Sequence, residues 1–110
     1  MPIQELEAAL LATQLLQASV ANVISTISDL DTLLEMVMIT RHVQTIIDIL
    51  KQGLNATEDV ACYSAIGIAK LQLRNLRYDA TVIQSAIGGS AAAEHTISEI
   101  NAVISTIMAL

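Results

Sequence analysis

From Cys62 to Ile87 the chain repeats small and apolar residues at alternating spacings of four and three. The series is Cys62, Ile66, Ala69, Leu73, Leu76, Ala80, Ile83 and Ile87. A pattern held in register for this long selects a helix with one buried seam, because strand side chains alternate with a period of two. The spacing predicts a helix over about residues 58–87. Such a helix needs other apolar helices to cover its seam, since packing rather than intrinsic propensity supplies most helical stability in water.

Three further stretches supply them. Leu6, Ala9, Thr13, Leu16, Val20, Val23 and Ile27 follow the same spacings, widened by Leu10, Leu11, Leu15 and Ile24, and predict a helix over about 3–27. Met36, Ile39, Val43, Ile46 and Leu50, helped by Leu33 and Ile47, predict one over about 31–52, with Gly53 as its stop. Ile97, Ile100, Ile104 and Ile107 predict a last helix over about 91–109. Gly88-Gly89-Ser90 is the strongest reversal signal. The loop Leu54 to Glu58 offers Asn55 with Glu58, or Thr57 alone, as a cap for the third helix. Ser28 to Asp31 holds capping residues but neither Gly nor Pro. The expected fold is therefore all-α: an antiparallel four-helix bundle in one domain over residues 1–110. The alternative is three helices, with the first long and kinked.

A second row on the third helix carries the charge. Lys70, Arg74 and Arg77 are three of only five basic residues in a chain of net charge −6. Their spacing aligns them along one side, and none has an Asp or Glu three or four residues away. Between Val60 and Tyr78 there is no acid at all. Three answers to this row are open: acids on a packed helix, such as Glu35 or Asp48, acids on another subunit, or phosphates outside the chain. Gly67 lies in the same row and leaves room for a close approach.

Composition points outward as well. The hydrophobic share is 54% and the charged share 15%, more apolar material than a lone small domain easily hides. Burial against other copies of the chain, or against lipid, is the expectation. The absence of Phe and Trp removes the usual platforms for stacked bases. Ala8 to Ser28 is uncharged over a length that suits a membrane span, but Thr13, Gln14, Gln17, Ser19 and Asn22 interrupt it. The acids Glu5 and Glu7 stand where a signal peptide needs positive charge, so no secretory signal is expected.

Chemistry is sparse. His42 and His95 are the only histidines, and neither is preceded by the Glu-x-x of a bundle di-iron motif. His95 and Glu99 are four apart, but two ligands do not make a metal site, and a solvated pair is expected. No phosphate-binding glycine loop or nucleophile elbow occurs. No enzyme, metal or cofactor is expected. Cys62, the only cysteine, reads as a buried thiol, and Met36 and Met38 read as core filler. Asn55-Ala56-Thr57 is an N-glycosylation sequon, weighed against a plain turn.

The short, wholly helical chain, its apolar excess, its single basic row and its sequon resemble the small helical major coat (jacket) proteins of archaeal bacilliform and filamentous DNA viruses. The likeness is architectural and spans the whole chain. It implies a virion protein that self-assembles into a helical shell around double-stranded DNA. Lys70, Arg74 and Arg77 would face the DNA backbone, and a glycan on Asn55 would face outward. Two other readings stay open. One is a membrane-active bundle of pore-forming or bacteriocin-like type, secreted or membrane-associated. The other is a protein filament without nucleic acid.

Overall fold

The computed structural model describes residues 1–110 as four helices joined by three short turns. They are α1 (Ile3–Ile24), α2 (Leu30–Asn55), α3 (Asp59–Ile87) and α4 (Ala91–Met108). Each helix packs on its neighbour in sequence, and α4 closes on α1. The diagonal pairs α1 with α3 and α2 with α4 have no close approach of their backbones. The result is an antiparallel four-helix bundle with four long walls, about 46 Å long and 20 Å across.

The core is aliphatic, as a chain without Phe or Trp requires. Leu6, Leu16, Met36, Ile46, Leu73 and Ile100 are among its fully buried side chains. Each such side chain adds about 1.5–3 kcal/mol of transfer free energy when removed from water. The seams of α1 and α2 follow the expected positions, except that Ile27 is only partly buried beyond the end of α1 and that Leu11 and Leu15, expected to widen the α1 stripe, point to solvent because the seam of α1 is narrower than its leucines. Cys62 is buried in the α3 seam.

The junctions explain where the helices stop. Asp29 caps α2: its carboxylate accepts from the Thr32 amide at 2.9 Å and the Thr32 hydroxyl at 2.7 Å. These bonds hold the Asp29 carboxyl below the usual carboxylate range. A cap of this kind starts a new helix, so α1 and α2 are separate and the kinked three-helix alternative does not hold. Ser90 caps α4, accepting from the Ala93 amide at 3.1 Å. Gly89 before it has φ +95°, a backbone conformation that other residues adopt at a cost.

Three expectations need correction. Gly53 does not end α2; it is buried within a helix that continues to Asn55. A Cβ there would lie 3.4 Å from the Ala65 Cβ and 3.5 Å from Leu6 Cδ2, so Gly53 lets α2 close on α3 and α1. Neither Asn55 nor Thr57 caps α3, whose N-cap is Glu58 with no side-chain capping bond. The α4 seam is rotated from the isoleucine stripe: Thr96 and Val103 are fully buried, while Ile97 and Ile104 are half-buried. The buried series Ala93, Thr96, Ile100, Val103 and Ile107 keeps three–four spacing, and hydrogen bonds satisfy its one polar member. The Thr96 hydroxyl donates to the Ala92 carbonyl at 2.9 Å and lies 2.9 Å from the Ser19 hydroxyl on α1. Thr96 has one proton and gives it to Ala92, so Ser19 donates to Thr96.

Candidate functional site

The basic row lies on the part of α3 turned away from the core. Lys70, Arg74 and Arg77 are all exposed. None forms an ion pair, because the two ionic contacts of the chain join histidines to acids: His42 to Asp79, and His95 to Glu99. Glu35 and Asp48, the acids expected as intramolecular partners, leave the row unanswered. The Asp48 carboxylate instead accepts from the Gln44 amide at 2.9 Å, and Gln44 in turn accepts from Gln17 of α1 at 2.6 Å.

Apolar side chains stand beside the cations. Val60, Tyr63, Leu71 (75% exposed) and Tyr78 (67% exposed) protrude from the same helix. Gly67 is exposed, and no atom lies within 4 Å of where its Cβ would be. The surface of α3 is thus a mixed strip of unpaired cations and bare apolar groups. Water screens such cations singly, but several along one helix form a favourable surface for a chain of phosphates.

Asn55 is the last residue of α2 and is exposed, as is Thr57. The sequon is therefore accessible. It sits at the α2–α3 turn, well separated along the chain from the basic row.

A second polar constellation lies in the wall between α2 and α3, and the sequence pattern did not point to it. Asp79 is 2% exposed and occupies the seam position expected for Ala80. Its only side-chain partner is His42 of α2, whose Nδ1 donates to both carboxylate oxygens, at 2.8 and 3.0 Å. Burial pushes the Asp79 carboxyl above the usual carboxylate range, and the bond and charge of His42 work against that rise. His42 Nε2 makes no hydrogen bond within the chain. The pair floors a cavity of about 260 Å³ walled by Met38, Ile39, Tyr78 and Val82, with Glu35 at its rim. No Ser, Thr, Cys or Lys lines the cavity, and no three His, Cys, Asp or Glu side chains gather as a metal would require. The pair is an orienting contact between helices. One signal was legible in advance: an acid flanking an apolar seam needs a partner from another helix.

His95 Nε2 lies 3.5 Å from Glu99 Oε1, too far for a good hydrogen bond. That oxygen is buried without any hydrogen-bond partner, so the pair is less solvated than its spacing suggests. Met36 is core filler as expected, whereas Met38 is exposed at the cavity wall.

The chain matches no protein-family model, no curated protein and no solved structure.

Proposed function

We propose that the chain is a structural subunit that assembles with copies of itself around double-stranded DNA, as a viral coat protein does. The observation that carries this reading is the surface of α3, where Lys70, Arg74 and Arg77 stand exposed with no acid of the chain to neutralise them. Three cations hold a phosphate backbone weakly in one copy. Repeated along a polymer they line a duplex continuously. Exposed apolar side chains on all four helices supply the drive for assembly: Leu11 and Leu15 on α1, Leu34 and Met38 on α2, Leu71 on α3, and Met108 on α4. Phosphate contact needs no base-stacking aromatics, which agrees with a chain lacking Phe and Trp. In this reading the chain is neither an enzyme nor a cofactor protein, resides in the virion, and bears a glycan on the exposed Asn55.

A membrane-active bundle is the second reading, and α1 motivates it. It is long and apolar enough to cross a bilayer, and Leu11 and Leu15 lie bare on it. Its share of buried residues is close to that of the whole chain, so it is no more exposed than its neighbours.

Electron microscopy of the purified protein mixed with linear duplex DNA, paired with sedimentation, separates these readings. Coated rods whose length follows the length of the DNA are expected. Rods of unlimited length without DNA would indicate a pure protein filament, and rings appearing only in lipid would indicate a pore. A dispersed species of 11.7 kDa under all conditions would refute assembly altogether.

A further inference from the structure

The basic row belongs to one wall of the bundle, and what that wall holds rests on the phosphate contact proposed above. The α3 helix packs on α2 along one flank and on α4 along the other. Asp79, bonded to His42 of α2, marks the α2 flank. At about 100° per residue, Arg77 and Lys70 stand about 160° and 180° around the helix from Asp79, across the buried seam residues Leu76 and Leu73. They therefore edge the α4 flank, and Arg74 stands slightly further round toward solvent.

The facing side of α4 follows from the same geometry. The α4 helix runs parallel to α2, and it follows α3 as α2 follows α1. On α2, Gln44 comes just after the seam residue Val43 and bonds to Gln17 of the preceding helix, while His42 comes just before it and bonds to Asp79 of the following one. On α4, Asn101 comes just after the seam residue Ile100 and so faces the preceding helix, α3. Glu99 comes just before it and faces α1. Arg77 and Asn101 are each twelve residues from Gly89 in the α3–α4 turn, so they stand level across the wall. Both are exposed. Neighbouring helix axes lie about 8–10 Å apart, so one phosphate strand can meet both side chains.

Charge singles out this wall. No acid stands on α3 between Val60 and Tyr78, and α4 carries no charged side chain from Ile100 onward. The α2–α3 wall holds Asp79 and Glu35, the α1–α2 wall holds Asp48, and the α1–α4 wall holds Glu99. A polyanion is repelled by those acids and is met here by Lys70, Arg74 and Arg77. The Asn101 amide adds a neutral donor of the kind that binds phosphate oxygens. We propose that the duplex lies along the α3–α4 wall of each copy, where Asn101 of α4 holds its phosphates together with Lys70 and Arg77.

Moving charge on and off this wall tests the placement, read as the salt dependence of binding to duplex DNA of mixed sequence. Asn101→Lys is expected to tighten binding several-fold at low salt and to steepen the slope of log affinity against log salt by about 0.9. Asn101→Asp is expected to weaken binding several-fold for all sequences alike. Gln14→Lys adds the same charge to α1, in the row of Gln17 that faces α2, and should leave the slope unchanged. Both positions are exposed, so helical circular dichroism should be kept. Equal steepening by the two lysines would mean that only net charge matters and would overturn the placement. So would an unchanged slope for Asn101→Lys where Arg74→Gln makes the slope shallower; that result keeps the phosphate contact and removes α4 from it. Stronger DNA-free self-association of Asn101→Lys, with DNA binding unchanged, would mean that the wall meets acids of another copy, and would overturn the placement too. A parent that binds no DNA at any salt concentration would remove the phosphate contact and the placement together.

Discussion

The α1–α4 seam and the α2–α3 seam each bury polar side chains, yet they do so in different ways. On α1 and α4 the buried polar groups are hydroxyls. Thr13 donates to the Ala9 carbonyl at 2.7 Å and Thr96 to the Ala92 carbonyl at 2.9 Å, each one turn back on its own helix. These groups are neutral and largely satisfied by local backbone. Between α2 and α3 the buried group is a carboxylate, and its partner belongs to the other helix. If the neighbouring helix slides, Thr13 loses no hydrogen bond and Thr96 loses only the one it accepts from Ser19, because each keeps its own proton on its own helix. A buried carboxylate with one donor 37 residues away loses that donor. The His42–Asp79 bond therefore ties α2 to α3 at one relative height, and the raised Asp79 carboxyl is the group through which pH should act on stability.

Removing the donor should have the largest effect. His42→Ala leaves Asp79 buried with no partner, at a cost of about 3 kcal/mol at neutral pH. This is the low end for a broken buried pair, because His42 is itself about a quarter exposed. The sign with pH follows from the raised Asp79 carboxyl. A carboxyl that binds its proton more tightly in the fold than in the unfolded chain favours the fold at low pH. That contribution is lost as pH rises through the folded value. In His42→Ala both opposing effects of the histidine are gone, so the rise is larger. The deficit of the variant should therefore shrink as pH falls from 7 toward 4, as urea unfolding at each pH will show. A deficit that is flat with pH would mean that His42 acts only through packing.

Asp79→Asn should have a smaller effect. It keeps the shape and an acceptor for His42 while removing the buried charge. Stability at neutral pH should stay within about 1 kcal/mol of the parent. The fall in stability with rising pH just above the ordinary carboxylate range should disappear. Thr13→Val, at a buried hydroxyl of α1, should do least. The Ala9 carbonyl keeps its main-chain bond, so no buried group is orphaned, and unfolding should shift by under about 1 kcal/mol without any pH dependence. A larger loss, or one that varies with pH, would erase the distinction between the locally bonded hydroxyls and the buried carboxylate.

The contrast also explains which parts of the fold are legible in the sequence. The seams of α1, α2 and α3 can be read in the main because apolar periodicity reports burial, with Leu11, Leu15 and the Ala80 position as exceptions, and the Gly88–Ser90 turn because its residues suit little else. The α4 seam is misread from its pattern because isoleucine ordinarily outranks threonine in a core, while the bond from Ser19 to Thr96 shows only once α1 is alongside. Asp79 and His42 escape for the same reason: helical spacing finds partners along one helix and is blind to those across two. Gly53 reads as a stop because a glycine near a helix end usually is one, and only the approach of Ala65 and Leu6 reveals its packing role. The basic row can be read in part. Its lack of partners along α3 is visible in the spacing, but the lack of partners on other helices needs the fold.

The function proposed for the chain turns on that row, and the salt dependence of DNA binding by Arg74→Gln probes it without intermediate steps. The substitution removes the middle charge of an exposed row and should leave the helical fold intact. If the row holds phosphates, binding should weaken alike for all DNA sequences. The slope of log affinity against log salt should become shallower by about 0.9 for each phosphate that is no longer neutralised. An unchanged slope, with a normal DNA content in the assembled particles, would contradict the proposal.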